Sequence, residues 1–539
     1  MAIYLAEREN HARLEPPQPL VIPPSQIFEG LDGPWSTFNL RVGTPEQDVR
    51  VLVSTSAPQS MVVLSEYGCT EKAMVNVPIN CKDSRGQLFS PNISSSWQDQ
   101  GSYDINVEGR GFVGSLGYRQ VVEVGFETLG VGLGSAPKFE NQTVAAFADA
   151  LPFYMGVFGL GTQPVNLTFL ANSTSPSYFS SLKTKGYIPS LSWSYTAGAK
   201  YRLKQVSGQL IFGGRDAARI QPNNVSFEFA QDQDRDLVVS IQGIYSNSRS
   251  LLSAPILAFI DSTDPLIWLP ESACVAFENA FSLTLDSASN YYLLNETQHS
   301  TLLAANPSVT FRISDLLSGG QFVDINLPYS AFDLTIKYPI VEIQTYYFPL
   351  RKAANDTQYT LGRTFLQEAY LTVDHERRNF SVSQCAWTED ALIPNIISIA
   401  SNSTQIQDLP TRPTATPKPS DNTMSKPHNP HMSTSAIAGI IIALVSLFAG
   451  IFLCIWVFVS RRRQKANSEP LELKHESSST LGNLSEVSSV VTSVPMVELP
   501  TNEISYEICT EGNSSINRIE LDATDSVYTA TYVANERGY

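Results

Sequence analysis

The sequence VLVSTS at residues 51–56 is a short apolar run that ends in a hydroxyl-rich turn, and AFIDST at residues 258–263 repeats the pattern farther along the chain. Apolar runs of this length, bounded by turn residues, are typical of buried β-strands. The first turn residue is Ser54 in one copy and Asp261 in the other. Most of the functional question depends on that one difference.

A glycine follows each copy of the strand and turn at nearly the same distance. Gly159 comes 105 residues after Ser54, within GVFGLG, and Gly362 comes 101 residues after Asp261, within TLGRT. Two halves with the same order of features and nearly equal spacing form an internal repeat. The repeat predicts two similar lobes with a central cleft between them.

The pattern from residue 27 to residue 387 is one of short apolar runs broken by Gly, Asn, Pro and Ser, which predicts a mainly β fold. Helical periodicity is scarce, and the better helix candidates are residues 271–281 and 365–370. The clearest strand patterns lie at residues 36–42, 121–124, 209–212 and 370–373.

The composition is that of a globular protein with an acidic balance. Of 539 residues, 42% are hydrophobic and 16% are charged, and the formal net charge is −16. A chain of this length has room for several domains and a large core. The negative charge argues against nucleic acid as a partner.

An uncharged apolar segment at residues 436–459 is longer than the about 20 residues that a transmembrane helix needs. Three arginines follow directly at residues 461–463, which predicts a cytoplasmic C-terminal tail and a lipid bilayer as a partner. We therefore expect a single-pass type I membrane protein whose larger part is extracellular or luminal. The arginines are more simply a stop-transfer cluster than a site for anionic lipid.

The regions around the β segment are polar. Residues 1–26 form a proline-containing lead-in without the apolar core of a signal peptide, so we expect the start of the chain to be incomplete, with unusual export as the alternative. Residues 388–435 are rich in Ser, Thr and Pro and predict an extended stalk. Residues 460–539 predict a disordered tail that a cytoplasmic partner could recognise.

The cysteines and glycosylation sequons agree with an exported domain. Four cysteines precede the predicted span, which suggests two disulfides, Cys69 with Cys81 and Cys274 with Cys385, and the alternative is four free thiols. Nine Asn-x-Ser/Thr sequons precede the span and predict N-glycosylation. They begin at Asn92, Asn141, Asn166, Asn172, Asn224, Asn295, Asn355, Asn379 and Asn402.

Several motifs between residues 27 and 387, in the right order, resemble those of pepsin-like aspartic peptidases. IDST at 260–263, followed by IWLP at 267–270, resembles the second active-site motif, and GVFGLG resembles the segment that supports the first active-site loop. SGQLIFGG at 207–214 resembles the strand between the lobes, and LGRTFL at 361–366 resembles the C-terminal part. With the stalk and span, the chain is most similar to membrane-anchored fungal members.

The resemblance implies two β lobes, residues 27–205 and 206–387, with one aspartate from each lobe meeting in the cleft. In that family, two carboxylates about 3 Å apart share a proton, and the pair activates water and polarises the peptide carbonyl. Asp261 is retained at the second position, whereas Ser54 occupies the first. A hydroxyl has no useful basicity near neutral or acid pH, so the catalytic pair is incomplete.

Other positions of the active-site loops also depart from the family pattern. Ser56 and Thr263 stand where each motif has a glycine, and Asp264 adds an acid where a small hydroxyl residue is usual. Thr55 and Ser262 keep the hydroxyls that brace the two loops.

The resemblance also implies a β-hairpin flap within residues 101–118. The tyrosine that the family carries there aligns near Glu108, and Tyr103 is a displaced candidate. The sequence alone does not choose between these positions.

Two functional hypotheses follow. The first is a catalytically inactive ectodomain that binds a peptide or cell-surface protein ligand in its cleft. The second is an active aspartic-type endopeptidase with a non-standard pair, for which Asp264 is the nearest spare carboxylate. A serine nucleophile at Ser54 would need a base, and the histidines of the β segment, His299 and His375, lie outside the cleft motifs.

No cofactor or metal is expected. Two histidines of the predicted stalk, His428 and His431, lack the acidic or cysteine companions of a metal site.

Overall fold

Three large β-sheets contain most of the strands in the computed structural model, which describes residues 16–105, 114–134, 136–163, 165–166, 174–233 and 235–402. The strands of the first half are β1 Leu20–Ile22, β2 Pro24–Glu29, β3 Trp35–Val42, β4 Gln47–Ser54, β5 Ser60–Val63, β6 Gln98–Asp104, β7 Val121–Val131, β8 Lys138–Phe147, β9 Gly156–Gly159, β10 Val165–Asn166, β11 Thr174–Ser175, β12 Ser192–Ala199 and β13 Val206–Phe212.

The remaining strands are β14 Gly214–Asp216, β15 Phe227–Glu228, β16 Val238–Ser246, β17 Arg249–Ser250, β18 Ile256–Ile260, β19 Ile267–Leu269, β20 Leu285–Asp286, β21 Tyr291–Leu294, β22 Ser308–Ser314, β23 Phe322–Pro328, β24 Leu334–Ile336, β25 Thr345–Phe348, β26 Leu350–Lys352, β27 Thr360–Leu361, β28 Ala369–Asp374, β29 Asn379–Gln384 and β30 Ile396–Ser398. The α-helices are α1 Cys81–Ser84, α2 Tyr178–Thr184, α3 Glu271–Phe281, α4 Glu296–Ala305, α5 Tyr329–Phe332 and α6 Arg363–Leu366.

Each half of the chain builds one large sheet. The first-lobe sheet has the order β2-β3-β4-β9-β5-β8-β7-β6. The second-lobe sheet has the order β23-β22-β16-β18-β27-β19-β26, with β17 paired to β16. Apolar side chains of these strands are buried, for example Phe38, Leu40 and Val42 in β3 and Phe311 and Ile313 in β22. This burial explains the apolar runs of the sequence and confirms the mainly β, two-lobed fold.

The internal repeat of the sequence is also a repeat of topology. In the first lobe β9 pairs parallel with β4 and antiparallel with β5. In the second lobe β27 pairs parallel with β18 and antiparallel with β19. A Cβ on Gly159 would collide with the carbonyl oxygen of Ala57, and one on Gly362 with that of Leu266. The two glycines are therefore required where β9 and β27 pass under the loops at Ser54 and Asp261.

A six-stranded interlobe sheet joins the two lobes, in the order β1-β13-β12-β28-β29-β15. It contains the strand β13 that the resemblance placed between the lobes. The helix predicted at 365–370 is wrong, because α6 ends at Leu366 and residues 369–374 form β28 instead. β28 lies between β12 and β29 in the interlobe sheet and forms backbone hydrogen bonds with both neighbours. This pairing stabilises the strand more than the local sequence pattern favours a helix. The helix predicted at 271–281 is confirmed as α3.

The four cysteines of the described residues form one disulfide. Cys69 and Cys81 are bonded, whereas Cys274 and Cys385 are both free and buried, so the predicted second disulfide is wrong. Cys274 lies in α3 with its sulfur 3.7 Å from the carbonyl oxygen of Leu269. Cys385 follows β29, and its sulfur lies 3.5 Å from the hydroxyl oxygen of Thr196. Burial raises the pKa of each thiol to about 12.

The folded part extends beyond residue 387 at its C-terminal end. Residues 389–392 form a 3-10 helix, and β30 pairs antiparallel with β14. The apolar pair Ile396 and Ile397 lies in this strand, so residues 388–402 are part of the folded unit and the predicted start of the stalk was too early. At the other end, β1 and β2 begin within the predicted lead-in.

No helix among the described residues is long and apolar enough to cross a membrane. The predicted span at 436–459, the rest of the stalk and the tail at 460–539 lie outside the described residues. Asn172 also lies outside them, and the side chain of Asn166 is not described. Of the other predicted glycosylation sites, Asn379 is half-buried. The remaining sites are exposed, and they are Asn92, Asn141, Asn224, Asn295, Asn355 and Asn402.

Candidate functional site

The loops that follow β4 and β18 meet between the lobes and are braced against each other. The backbone N–H of Thr55 donates to Ser262 Oγ at 3.0 Å, and the N–H of Ser262 donates to Thr55 Oγ1 at 3.0 Å. Ser262 Oγ also donates to the carbonyl oxygen of Val53 at 2.6 Å. These reciprocal bonds give the two loops one fixed arrangement, as the resemblance implies.

Asp261 lies at the centre of this arrangement, with only 1% of its surface exposed. Its Oδ1 accepts from the N–H of Thr263 at 2.9 Å and from the hydroxyl of Thr263 at 2.6 Å. Its Oδ2 accepts from the hydroxyl of Ser56, in the other lobe, at 3.0 Å. Burial raises the pKa of Asp261, and these hydrogen bonds oppose the rise. Ser56 and Thr263, at the last positions of the two turn motifs, therefore supply the partners of Asp261.

Ser54 reaches Asp261 only through another hydroxyl. Ser54 Oγ accepts from the N–H of Ala57 at 2.9 Å and lies 2.6 Å from Thr263 Oγ1. Because the Thr263 hydroxyl donates to Asp261, the Ser54 hydroxyl donates to Thr263. The result is a chain of hydrogen bonds that begins at the backbone N–H of Ala57, passes through Ser54 and Thr263, and ends at the carboxylate of Asp261.

The two histidines of the described fold lie away from Ser54. His299 Nε2 is 2.8 Å from Asp333 Oδ1, and its ring stacks on that of Tyr346. His375 Nε2 accepts from the indole N–H of Trp193 at 3.2 Å, and burial lowers the pKa of His375 to about 3. Neither ring is a hydrogen-bond partner of Ser54, so the serine-nucleophile hypothesis lacks its base.

Asp264, the extra acid of the second loop, is fully buried and accepts three hydrogen bonds. Oδ1 accepts from the N–H of Leu266 at 2.7 Å and from the indole N–H of Trp268 at 3.1 Å. Oδ2 accepts from the hydroxyl of Tyr118 at 2.6 Å. Burial raises the pKa of Asp264. The oxygens of Asp264 accept from Leu266, Trp268 and Tyr118, whereas those of Asp261 accept from Thr263 and Ser56, so the two carboxyl groups have separate sets of donors.

The flap predicted at 101–118 is the hairpin of β6 and β7, although Glu108 lies outside the described residues. The hydroxyl of Tyr103 donates within its own hairpin, to the carbonyl oxygen of Gln100 at 2.8 Å. Tyr118, at the end of the predicted range, contacts the second lobe instead through Asp264. The side-chain amide of Gln358 also donates to the carbonyl oxygen of Ser115 at 2.8 Å, so the short 3-10 helix that precedes β7 is tied to the second lobe.

Arg363, like Tyr118, was not predicted from the sequence as a residue of the site. It follows Gly362 and is 3% exposed. Its Nη1 donates to the carbonyl oxygens of Ser262 at 2.8 Å and Thr263 at 2.7 Å, and its Nη2 is 3.4 Å from Asp32 Oδ2. The guanidinium thus fixes the backbone of the second loop at Ser262 and Thr263. A lone charged residue inside the apolar LGRTFL motif was the only sequence signal for it.

A cavity of about 340 Å³ lies in the cleft beside these loops and confirms the predicted central cleft. Both lobes contribute to its walls. The first lobe supplies Leu52, Tyr118, Phe153, Met155 and Val157, and the second lobe supplies Thr263, Asp264, Tyr291, Arg351 and Arg363. Among the described residues, no group of histidines, cysteines and acids is arranged to hold a metal ion.

Comparison with known proteins agrees with this architecture. The family model described as eukaryotic aspartyl protease matches residues 37–385. The chain belongs to the eukaryotic aspartyl protease family. Secreted aspartic protease 8 of Candida albicans is 24% identical over 371 residues, which cover 68% of this chain and 79% of that protein.

Two further comparisons come from other fungi. The probable aspartic-type endopeptidase OPSB of Arthroderma benhamiae is 21% identical over 410 residues, covering 72% of this chain and 76% of that protein. A crystal structure of the aspartic proteinase from Irpex lacteus is 14% identical with a TM-score of 0.48, and the match covers 69% of this chain and 98% of that one.

Proposed function

We propose that this protein is a membrane-anchored, catalytically inactive member of the aspartyl protease family that binds a peptide or a segment of a cell-surface protein in its cleft. One observation carries the proposal. Asp261 is surrounded by the hydroxyls of Thr263 and Ser56, with Ser54 next in the chain, where catalysis requires a second carboxylate.

The reason is the chemistry of the missing pair. Two adjacent carboxylates hold one proton between them, so that one is a base toward water while the other is an acid toward the carbonyl. Ser54 takes the place of the first aspartate, and its hydroxyl is committed to Thr263. Asp264 does not replace the lost group, because its two oxygens accept from Leu266, Trp268 and Tyr118.

Binding does not need the missing carboxylate. The braced loops, the flap hairpin and an interlobe cavity of about 340 Å³ are all present. Apolar walls with a few fixed polar groups are typical of sites that bind ligands. These features support a cleft that holds a peptide without cleaving it.

The membrane part of the proposal rests on the sequence. The uncharged segment 436–459 and the arginines at 461–463 support a type I anchor. The disulfide between Cys69 and Cys81 and the exposed sequons suit a folded part outside the cytoplasm.

A peptidase assay at acid pH tests the proposal on the full-length protein in detergent. We expect no cleavage by the wild type or by Asp261→Ala, and we expect cleavage to appear in Ser54→Asp or in the double variant Ser54→Asp/Ser56→Gly. Ser54→Ala is the matched control, since it changes the same position without adding a carboxylate. Cleavage by the wild type that Asp261→Ala abolishes would instead establish the active endopeptidase, which the names of the relatives favour.

A further inference from the structure

Arg351 is a cation of the cleft that has no partner carboxylate among the residues that the structure describes. It lies in β26, directly opposite Trp268 of the parallel neighbour β19, and it lines the cavity. Its guanidinium carbon is 4.5 Å from the ring centre of Tyr291 and 5.4 Å from that of Trp268. Two aromatic rings therefore position the guanidinium in the cavity wall.

Among the described residues, Arg351 makes no ion pair, and its Nε is buried without a hydrogen-bond acceptor. The Nε of Arg363, in the same wall, is likewise buried without an acceptor, but Arg363 differs because its Nη1 donates to two backbone carbonyls and its Nη2 is close to Asp32. A partly buried guanidinium that has no counter-charge strongly favours a carboxylate from a ligand.

The two carboxylates of the cavity wall, Asp264 and Asp32, have hydrogen-bond and ion-pair partners other than Arg351. Asp264 accepts from three donors. Asp32 accepts from the indole N–H of Trp35 at 2.6 Å and pairs with Arg363. Neither is a hydrogen-bond or ion-pair partner of Arg351, so Arg351 has no counter-charge among the described residues of the cavity wall.

We propose that Arg351 selects a carboxylate in the peptide that occupies the cleft, supplied by an acidic side chain or by the C-terminus of the peptide. This inference rests on the proposed peptide binding, but it holds whether or not the peptide is cleaved. The neighbouring apolar residues Leu52, Phe153, Met155 and Val157 line the same cavity and take the hydrocarbon part of the ligand.

Fluorescence anisotropy with full-length protein tests the proposal. The probes are labelled hydrophobic octapeptides that carry Glu, Gln or Lys at one central position, each with a free or an amidated C-terminus. We expect the wild type to bind a carboxylate-bearing probe about 10- to 100-fold more tightly than its neutral counterpart, as for hydrogen bonds to charged groups. A difference between Glu and Gln identifies a side-chain carboxylate, and a difference between acid and amide identifies the C-terminus.

Variants of Arg351 test whether this residue causes the preference for carboxylate-bearing probes. Arg351→Gln should abolish it, Arg351→Lys should retain only part of it because the planar fork is lost, and Arg351→Glu should favour the Lys probe, which an unfolded variant would not do. Arg378→Gln is the matched control, since Arg378 also lies over an aromatic ring, that of Phe229, and is absent from the cavity wall. It should leave the preference unchanged.

The outcomes separate this inference from the proposed function. Binding of all probes with equal affinity, or a preference that survives in Arg351→Gln, would overturn the role of Arg351 and leave peptide binding intact. Failure of every probe to bind the wild type would overturn peptide binding itself, and the selectivity with it.

Discussion

Ser56 in the first lobe donates its hydroxyl to Asp261 Oδ2 in the second lobe at 3.0 Å. This bond joins two loops that are 205 residues apart in the sequence. It exists because residue 56 is a serine, whose side chain carries a hydroxyl. The Asp261 carboxylate is thereby part of a hydrogen-bond network between the lobes.

Thermal stability should depend on pH through this carboxylate. Burial raises the pKa of Asp261 above its ordinary value of 3.8. A carboxyl whose pKa is higher in the folded state stabilises the fold fully below the unfolded pKa, and this contribution is lost as the pH rises through the folded pKa. Asp261→Asn lacks the titration. We expect the melting temperature of the variant, relative to that of wild type, to increase as the pH is raised from 3 to 7.

The control for this measurement is the same Asp-to-Asn change at an acid whose pKa is lowered in the folded state. Hydrogen bonds from Ser289 lower the pKa of Asp286 at the surface, so Asp286→Asn should show a relative melting temperature that falls over the same pH range. A pH-independent difference between wild type and Asp261→Asn would contradict the raised pKa.

The brace between the loops should be a large local contribution to stability. Thr55→Ala removes the acceptor of the buried N–H of Ser262, and an unsatisfied buried donor costs about 1–3 kcal/mol. Urea unfolding of the wild type and the variant measures this loss in the free energy of unfolding. Thr301→Ala, at an exposed hydroxyl of α4, should change it by less than about 0.5 kcal/mol. Equal losses in both variants would show that the brace has no special role.

The bond between Tyr118 and Asp264 should hold the flap against the second lobe. Tyr118→Phe removes a hydrogen bond to a buried carboxyl group while keeping the ring. We expect faster amide hydrogen exchange in the flap strands β6 and β7, because local opening no longer has to break this bond. Exchange in the interlobe strands β12 and β28 is the internal control and should stay the same. Unchanged exchange in the flap strands would exclude this role for Tyr118.

Local patterns in the sequence were sufficient for the framework of the fold. The apolar runs, the repeated turns and the glycines at 159 and 362 predicted two lobes, because burial and close backbone contact impose those residue types locally. The position of Ser54 and Asp261 at matching loop ends followed from the same repeat.

Contacts between distant segments could not be predicted in this way. The helix predicted at 365–370 is partly a strand because β29 pairs with Ala369 and Tyr370, and no local pattern in the sequence reports this pairing. Tyr118 and Arg363 acquire their partners Asp264 and Asp32 only when the two lobes meet. Arg351 acquires its aromatic neighbours, Trp268 and Tyr291, only when separate strands of the second lobe come together. The second disulfide was wrong for the same reason, since an even number of cysteines does not show that two of them are adjacent.

The state of the cysteines provides a direct chemical test. Peptide mapping after alkylation of the native protein should recover Cys69 and Cys81 as a linked pair. Cys274 and Cys385 should react only after denaturation, because both are buried and burial raises the pKa of each thiol to about 12. The double variant Cys69→Ser/Cys81→Ser should lose about 3 kcal/mol of unfolding free energy, as expected for closing a loop of this size. Recovery of Cys274 linked to Cys385 would contradict the structure, and Cys274→Ala should leave the Cys69–Cys81 pair unchanged.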